Sequence, residues 1–123
     1  MVKHVFDKNT INQYIRQRLT KNFIDILILL ELTSAPLGGY DIINIFNRKF
    51  NLSISPGTVY STLYSLERMG LIKGGGQRKR IYTLTRKGEE FVETVLSMRK
   101  NIELLMSKIF ETKTKNLMNR AIQ

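Results

Sequence analysis

A helix with two well-marked ends is the feature that most constrains this chain of 123 residues. Ser55 precedes Pro56, and this pair is typical of a helix start. Serine accepts a hydrogen bond from a free backbone N–H there, and proline lacks an N–H that would be unpaired. Gly70 is typical of the residue that follows a helix end. The sequence therefore predicts a helix that begins at Pro56 and ends near Met69.

The residues after this helix predict a hairpin, because they contain two short apolar segments with glycines between them. Strands are expected at Leu71–Lys73 and Lys79–Leu84, and segment 74–78 forms a flexible, basic turn. Alternation turns Tyr82 and Leu84 toward the core, so Arg80 is expected to emerge near the tip of the hairpin.

Two more helices are expected earlier in the chain. Thr10 caps the first, whose apolar residues recur at helical spacing as far as Glu31. A turn at Gly38–Gly39 leads into the second, which carries an apolar stripe from Tyr40 to Phe50. The complete order of helix, helix, helix, hairpin and helix is that of a winged helix-turn-helix, mainly α with a small β-hairpin. In this fold the third helix enters the major groove of DNA, and the hairpin, or wing, contacts the backbone or the minor groove.

The charge of the chain favours a nucleic-acid partner. Lysines and arginines number 20 against 10 acidic residues, which leaves a formal net charge of +10. Such a surface attracts polyanions, although a charge that serves solubility and an anionic membrane are alternatives. No apolar run approaches the roughly 20 residues that span a bilayer. We expect a cytoplasmic protein that binds double-stranded DNA and no membrane.

An enzyme is not expected. The only histidine is His4, the chain has no cysteine to serve as a nucleophile, and the acidic residues show no metal-binding pattern. The glycines at 74–76 lack the Gly-Lys-Ser/Thr that completes a nucleotide-binding loop. We therefore expect neither a cofactor nor a metal site.

The third helix and the wing carry the candidate DNA contacts. Val59, Leu63 and Leu66 share the side of the helix that is expected to face the core, and the opposite side is hydroxyl-rich with small residues near its start. Small residues permit a close approach to DNA, and hydroxyls and arginines can bind phosphates or base edges. The predicted contacts are Ser55, Gly57, Thr58, Tyr60, Ser61, Tyr64, Ser65, Arg68, Lys73, Arg78, Lys79 and Arg80.

Two alternatives stand beside this interpretation. The outer face of the helix can be a plain solvent-exposed face, and a run of positive charge is more often solvated than part of a site. Arg78 and Lys79 are the better phosphate contacts of the wing, since they lie at its glycine-rich tip.

The last helix carries the spacing of a coiled coil. It is expected to begin after Thr85 and to run without interruption to at least Phe110, with fraying after Glu111. Its stripe is too long for a small core to cover, so a matching helix of a second chain is the natural cover. Packing against the chain's own first helices is the alternative. The predicted homodimer interface comprises Phe91, Val95, Met98, Ile102, Leu105 and Ile109, together with Ile11, Tyr14 and Ile15 of the first helix.

The chain is expected to divide at the start of this last helix. Residues 1–88 would form the winged-helix DNA-binding domain with its N-terminal helix, and residues 89–123 the dimerisation helix and its tail. A two-fold dimer would present two reading helices to successive major grooves of a pseudo-palindromic site.

Three motifs, in this order, resemble those of the PadR family of transcriptional regulators. They are Leu-Gly-Gly-Tyr-Asp-Ile-Ile at 37–43, Ser-Pro-Gly-Thr-Val-Tyr at 55–60, and Ile-Tyr-Thr-Leu-Thr-Arg-Lys-Gly at 81–88. The resemblance implies a winged-helix homodimer that represses promoters and is often released by a small-molecule effector at the dimer interface. The effector is implied by the resemblance alone.

The residues and the resemblance together predict a sequence-specific transcriptional repressor. The main alternative is an architectural, chromatin-like protein that uses the same basic wing without sequence preference. Only Arg68 on the outer helix face is a strong reader of bases, so this alternative stays open. A winged helix that binds another protein would leave the basic wing unexplained.

Overall fold

The chain was analysed as a computed structural model, which describes residues 6–122. His4 lies outside this range. The described residues form helices α1 (Lys8–Asn22), α2 (Ile24–Leu32), α3 (Gly39–Phe50), α4 (Pro56–Arg68), α5 (Arg86–Ser97) and α6 (Arg99–Ile122), and strands β1 (Leu37–Gly38), β2 (Ile72–Gly75) and β3 (Ile81–Leu84). The strands make one antiparallel sheet in the order β1-β3-β2. The predicted fold class, mainly α with a small wing and a long C-terminal helix, is confirmed.

Helix α4 begins where the sequence predicts. Ser55 is the N-cap, and its hydroxyl accepts a hydrogen bond from the backbone N–H of Thr58 at 3.2 Å. Pro56 is the first helical residue. Val59, Leu63 and Leu66 are buried, as their spacing predicts. They pack with α2 and α3 residues in one cluster, whose largest fully buried side chains include Phe46, Ile28, Leu29 and Ile42.

The first predicted helix is wrong in two details. Its N-cap is Asp7 and not Thr10, because the Asp7 carboxylate accepts the N–H of Thr10 at 2.9 Å, a bond that lowers the pKa of Asp7. It is also two helices, separated at Phe23. One turn before the break, the Thr20 hydroxyl donates to the carbonyl of Arg16 at 2.7 Å, and such back-bonding bends helices.

The predicted turn at Gly38–Gly39 is also wrong. Gly38 ends strand β1 and Gly39 begins α3 directly. Strand β1 pairs with β3 in the register Leu37 to Tyr82 and Gly38 to Ile81, so the sheet has one strand more than the predicted hairpin. A strand of two residues is too short to show an alternation of apolar and polar side chains. It can be identified only by its pairing with β3, which is distant in the sequence.

The strands of the wing have other bounds than the sequence predicts. Gly74 and Gly75 were expected in the turn, but they belong to β2 and pair with Tyr82 and Ile81. Strand β3 begins at Ile81, two residues after the predicted start. Glycines have no side chain, so the alternation of side chains that marks a strand cannot be seen at these two positions of the sequence.

The expected uninterrupted last helix is broken at Met98, whose N–H donates to the carbonyls of both Thr94 and Val95 at 3.1 Å. Fraying after Glu111 is wrong as well, because α6 continues to Ile122. Pairs spaced four residues apart support this helix, including Lys115 with Glu111 at 3.6 Å.

The chain forms two compact units, one that ends at Val92 and one that begins at Glu93. The division that the sequence placed after residue 88 stays a prediction. None of the helices within residues 6–122 is long and apolar enough to cross a membrane.

A junction at Thr85 closes the base of the wing. The Thr85 hydroxyl donates to the carbonyl of Gly70 at 2.6 Å, and its N–H donates to that of Leu71 at 3.1 Å. The same hydroxyl accepts the N–H of Gly88 at 3.1 Å. A β-carbon on Gly88 would overlap the Leu71 carbonyl oxygen, so glycine permits this close approach.

We expect Gly88→Ala to lower the free energy of unfolding by about 1–3 kcal/mol, because the methyl group would overlap the Leu71 backbone, which cannot turn aside as a flexible side chain can. Gly57→Ala is the matched control, since a β-carbon there meets nothing within 4 Å and alanine favours helix. Urea unfolding followed by circular dichroism measures both. Equal stability of the two variants would contradict the role of Gly88.

Candidate nucleic-acid interface

The outer face of α4 is exposed along its length. Tyr60 and Tyr64 are 43% and 64% exposed, which is unusual for aromatic residues without a partner. Ser61, Ser65 and Arg68 lie on the same side of the helix, outside the core cluster. The predicted contacts on this helix therefore lie on one surface, which does not contribute to the core.

The hydroxyls at the start of α4 are partly engaged within the chain. Those of Ser55 and Thr58 lie 2.8 Å apart and share a hydrogen bond. The Ser61 hydroxyl donates to the Thr58 carbonyl at 3.3 Å. Ser55 is thus first a helix cap, and Thr58 is half-buried beside it. Gly57, in contrast, has open space where its side chain would be.

The start of α3 approaches α4 closely at Gly39. A β-carbon on Gly39 would lie 2.5 Å from Cε1, 2.6 Å from Cζ and 2.7 Å from the hydroxyl of Tyr60. Glycine therefore lets the Tyr60 ring lie across the end of α3. This contact determines where the ring stands on the outer face of α4.

A groove of about 480 Å³ separates the outer face of α4 from the wing. Two arginines stack on tyrosines in it: the guanidinium of Arg68 lies 5.7 Å from the ring centre of Tyr64, and that of Arg80 lies 5.8 Å from that of Tyr82. Such stacking holds a guanidinium in place and leaves it able to donate hydrogen bonds. The groove is lined by Tyr60, Tyr64, Glu67, Arg68, Arg80 and Tyr82.

The three cations at the wing tip have different surroundings. Arg78 is exposed and has no ion pair among the described residues. The Lys79 ammonium lies 3.7 Å from the carboxylate of Asp41 in α3. Arg80 donates to Glu67 at 2.7 Å, and this hydrogen bond raises the pKa of the guanidinium further. Lys73 is exposed on β2, away from these pairs.

Asp41 and Glu67 are the site residues that sequence reasoning missed. Asp41 also closes the start of α3, where its carboxylate accepts the N–H of Gly38 at 2.8 Å. Both acids pair with wing residues that are distant in sequence, so no local spacing signals them. The presence of Glu67 on an otherwise uncharged stretch of α4 was the available hint.

The residues predicted for a dimer interface are largely exposed. Val95 is half-buried, and the others carry apolar side chains that are about 40–60% exposed in the single chain: Phe91, Met98, Ile102, Leu105, Ile109, Ile11, Tyr14 and Ile15. Further apolar residues are exposed as well, namely Leu19, Phe23, Leu96, Leu104, Met106, Phe110, Leu117 and Met118. Exposed apolar side chains in this number are typical of a surface that a partner covers.

The family model of PadR-like transcriptional regulators matches residues 26–94, which is more than half of the chain. The chain belongs to the PadR-like family. Its members are transcriptional regulators and not enzymes, so the resemblance seen in the three motifs and the prediction of a DNA-binding regulator are confirmed. Within residues 6–122 of this PadR-like protein, no three side chains of the kinds that bind metals lie together.

Solved structures of PadR proteins resemble this chain. A PadR family transcription regulator from Clostridium difficile is 26% identical, with a TM-score of 0.64 over 72% of this chain and 98% of that one. A PadR-like regulator from Bacillus cereus is 32% identical, with a TM-score of 0.52 over 58% and 44%. Bacillus subtilis PadR, solved in complex with operator DNA, is 28% identical, with a TM-score of 0.53 over 59% and 46%. No curated protein sequence matches the chain significantly.

The approach of Gly39 to Tyr60 can be measured with a double-mutant cycle. We expect Gly39→Ala to lower the free energy of unfolding by about 0.5–1 kcal/mol, because the partly exposed Tyr60 ring must move aside. In a Tyr60→Ala background the same change should have no unfavourable effect, since the obstructing ring is gone. Urea unfolding of the four proteins gives the coupling energy. Equal effects in both backgrounds would contradict the contact.

Proposed function

We propose that this PadR-like regulator is a repressor that binds a specific operator as a homodimer. The observation that carries the proposal is the common surface of the α4 outer face and the basic wing, with Arg68 stacked beside the groove between them. Arginine reads guanine edges in the major groove through paired hydrogen bonds. That Bacillus subtilis PadR was solved with operator DNA supports the same use of this fold.

In the proposed complex, α4 lies in the major groove and the wing lies on the phosphate backbone. The contacts on α4 are the predicted ones: Ser55, Gly57, Thr58, Tyr60, Ser61, Tyr64, Ser65 and Arg68. On the wing, Lys73, Arg78 and Lys79 bind phosphates. Arg78 has a stronger claim than Lys79, because it has no intramolecular ion pair to break within the described part of the chain.

A fluorescence-anisotropy titration tests the proposal. The labelled duplex is the region upstream of the protein's own coding sequence, and a shuffled duplex of equal composition is the control. We expect the protein to bind the first at least about a hundredfold more tightly near physiological ionic strength, within the usual range for specific binding. Equal and steeply salt-dependent binding to both would favour the architectural alternative instead, which the net charge of +10 also supports.

The same assay separates phosphate contacts from base contacts. The double variant Arg78→Ala, Lys79→Ala should bind both duplexes more weakly by a similar factor. The slope of log affinity against log salt should fall by about 3.6 for the dimer, since each of the four phosphate contacts that it loses contributes about 0.9. An unchanged slope would remove the wing tip from the proposed interface.

The proposed homodimer covers the apolar stripe of the last two helices. Phe91, Val95, Met98, Ile102, Leu105 and Ile109 form the seam, and Ile11, Tyr14 and Ile15 of α1 add to it. The support is the exposure of these side chains in the single chain. A small-molecule effector at this interface, which the family resemblance implies, is part of the same proposal and has no further support in the described residues.

Ile102→Glu tests the seam. The side chain is 43% exposed in the single chain, so the substitution should leave the fold intact. In a dimer it would bury an unpaired charge, so we expect monomers at concentrations where the parent protein dimerises. Light scattering after size-exclusion chromatography measures the mass. Asn101→Glu, on an exposed polar position of the same helix, is the control, and an equal effect of both variants would point to another interface.

A further inference from the structure

Arg80 differs from the other wing cations in how completely it is held. Its guanidinium donates to the Glu67 carboxylate of α4 at 2.7 Å and lies over the ring of Tyr82. Glu67 is the more buried partner, with 29% of its side chain exposed against 54% for Arg80. The pair therefore joins the loop of the wing to the middle of the DNA-facing groove.

Gly74 provides the space in which Arg80 lies. A β-carbon on Gly74 would stand 2.5 Å from Nε, 2.8 Å from Cζ and 2.9 Å from Nη2 of Arg80. Gly74 is opposite Tyr82 in the ladder, so the guanidinium passes over a strand position that has no side chain. Gly75, the next residue of the same strand, has nothing within 4 Å of its β-carbon position.

We propose that Arg80 is a positioning residue, which ties the wing to α4 through Glu67 and sets the spacing between the two DNA-contacting elements. This replaces the direct DNA contact that the sequence predicted for Arg80, and it rests on the proposed function. The base of the wing is also attached through its sheet, through Ile72 and Tyr82 in the core cluster and through the junction at Thr85, and the longer Lys79–Asp41 pair joins the tip to α3. The Arg80–Glu67 pair links it directly to the helix that would lie in the major groove.

The position of Glu67 argues for this role. A carboxylate in a groove that faces DNA repels phosphates, so by charge alone its presence weakens binding. It also engages Nη2 of Arg80 and offsets the positive charge that would attract a phosphate. Glu67 therefore favours DNA binding only if the gain from holding the wing in place is larger than the cost of repelling the phosphates.

The two roles of Arg80 predict opposite effects of Glu67→Ala. If Arg80 positions the wing, Glu67→Ala, Arg80→Ala and Gly74→Ala should each weaken operator binding. We expect about 1.5- to fivefold, the range of an exposed ion pair expressed as an affinity ratio. If Arg80 instead binds a phosphate, removing Glu67 frees its donor and strengthens binding. Gly75→Ala is the matched control for Gly74→Ala and should bind as the parent does.

Salt titrations separate the roles a second time. If Arg80 bound a phosphate in each chain of the dimer, Arg80→Ala would lower the salt slope by about 1.8, whereas the removal of a positioning residue leaves the slope unchanged. Arg78→Ala serves as the phosphate-binding reference in the same titration. Tighter or unchanged operator binding by Glu67→Ala, or a lowered slope for Arg80→Ala, would overturn the proposal.

A distance measurement decides the proposal without DNA. The chain has no cysteine, so Gln77→Cys on the wing and Ser65→Cys on α4 place two nitroxide labels uniquely. Pulsed EPR, with the labelled protein diluted in unlabelled protein, reports the wing-to-helix distance within one chain. We expect one narrow distribution in the parent and in Gly75→Ala, and a broadened one in Glu67→Ala, Arg80→Ala and Gly74→Ala. Unchanged distance distributions would overturn the positioning role of Arg80. This result does not depend on DNA, so it is distinct from a failure of the parent protein to recognise an operator, which would overturn the proposed function.

Discussion

The hydrogen bonds of Thr85 are the constraint on which the DNA-facing surface depends. The chain leaves α4 through Gly70, which takes a positive φ of 76° that favours glycine, and it returns to the same place fifteen residues later. One hydroxyl there accepts from the start of α5 and donates to the end of α4. The hairpin between these points is therefore anchored at its base, and its tip can reach outward without loss of register.

Much of the positive charge at the wing tip lies in ion pairs, which the net charge of the chain does not reveal. The net charge of +10 describes the chain, but two of the three cations at the wing tip face acids on α3 and α4. Only the unpaired part of the charge can release counterions from DNA without breaking an internal bond first. Arg80, with the shorter of the two pairs, instead holds the wing to α4, whereas the 3.7 Å pair of Lys79 is loose enough to give way to a phosphate.

The elements that could be predicted from the sequence are those with local causes. Ser55 and Pro56 define the start of α4 by backbone chemistry alone, and the spacing of Val59, Leu63 and Leu66 identifies the buried face. The surface of candidate DNA contacts follows from these two facts. The capping residue, the spacing of the apolar residues and their burial all indicate the same helix, so this segment alone is sufficient to predict it.

The features that could not be predicted depend on distant partners or on competition between similar local choices. Strand β1 exists only because Leu37 pairs with Tyr82, and Glu67 matters only because Arg80 returns to it across the hairpin. At Asp7 and Thr10, two good capping residues lie three positions apart, and nothing local favours the carboxylate over the hydroxyl. The break at Met98 lies inside an apolar pattern that continues on both sides of it.

One face of helix α4 packs in the core and the opposite face is exposed. This separation of the two faces has an evolutionary consequence. Its three buried side chains maintain the fold, whereas most of the outer residues have no packing role and can change with little effect on stability. Under the proposed function, a lineage can acquire a new target sequence by substitutions on this face while the scaffold persists. Tyr60 is the exception, because its ring occupies the space that Gly39 leaves free, so a side chain at position 39 requires a smaller residue at position 60.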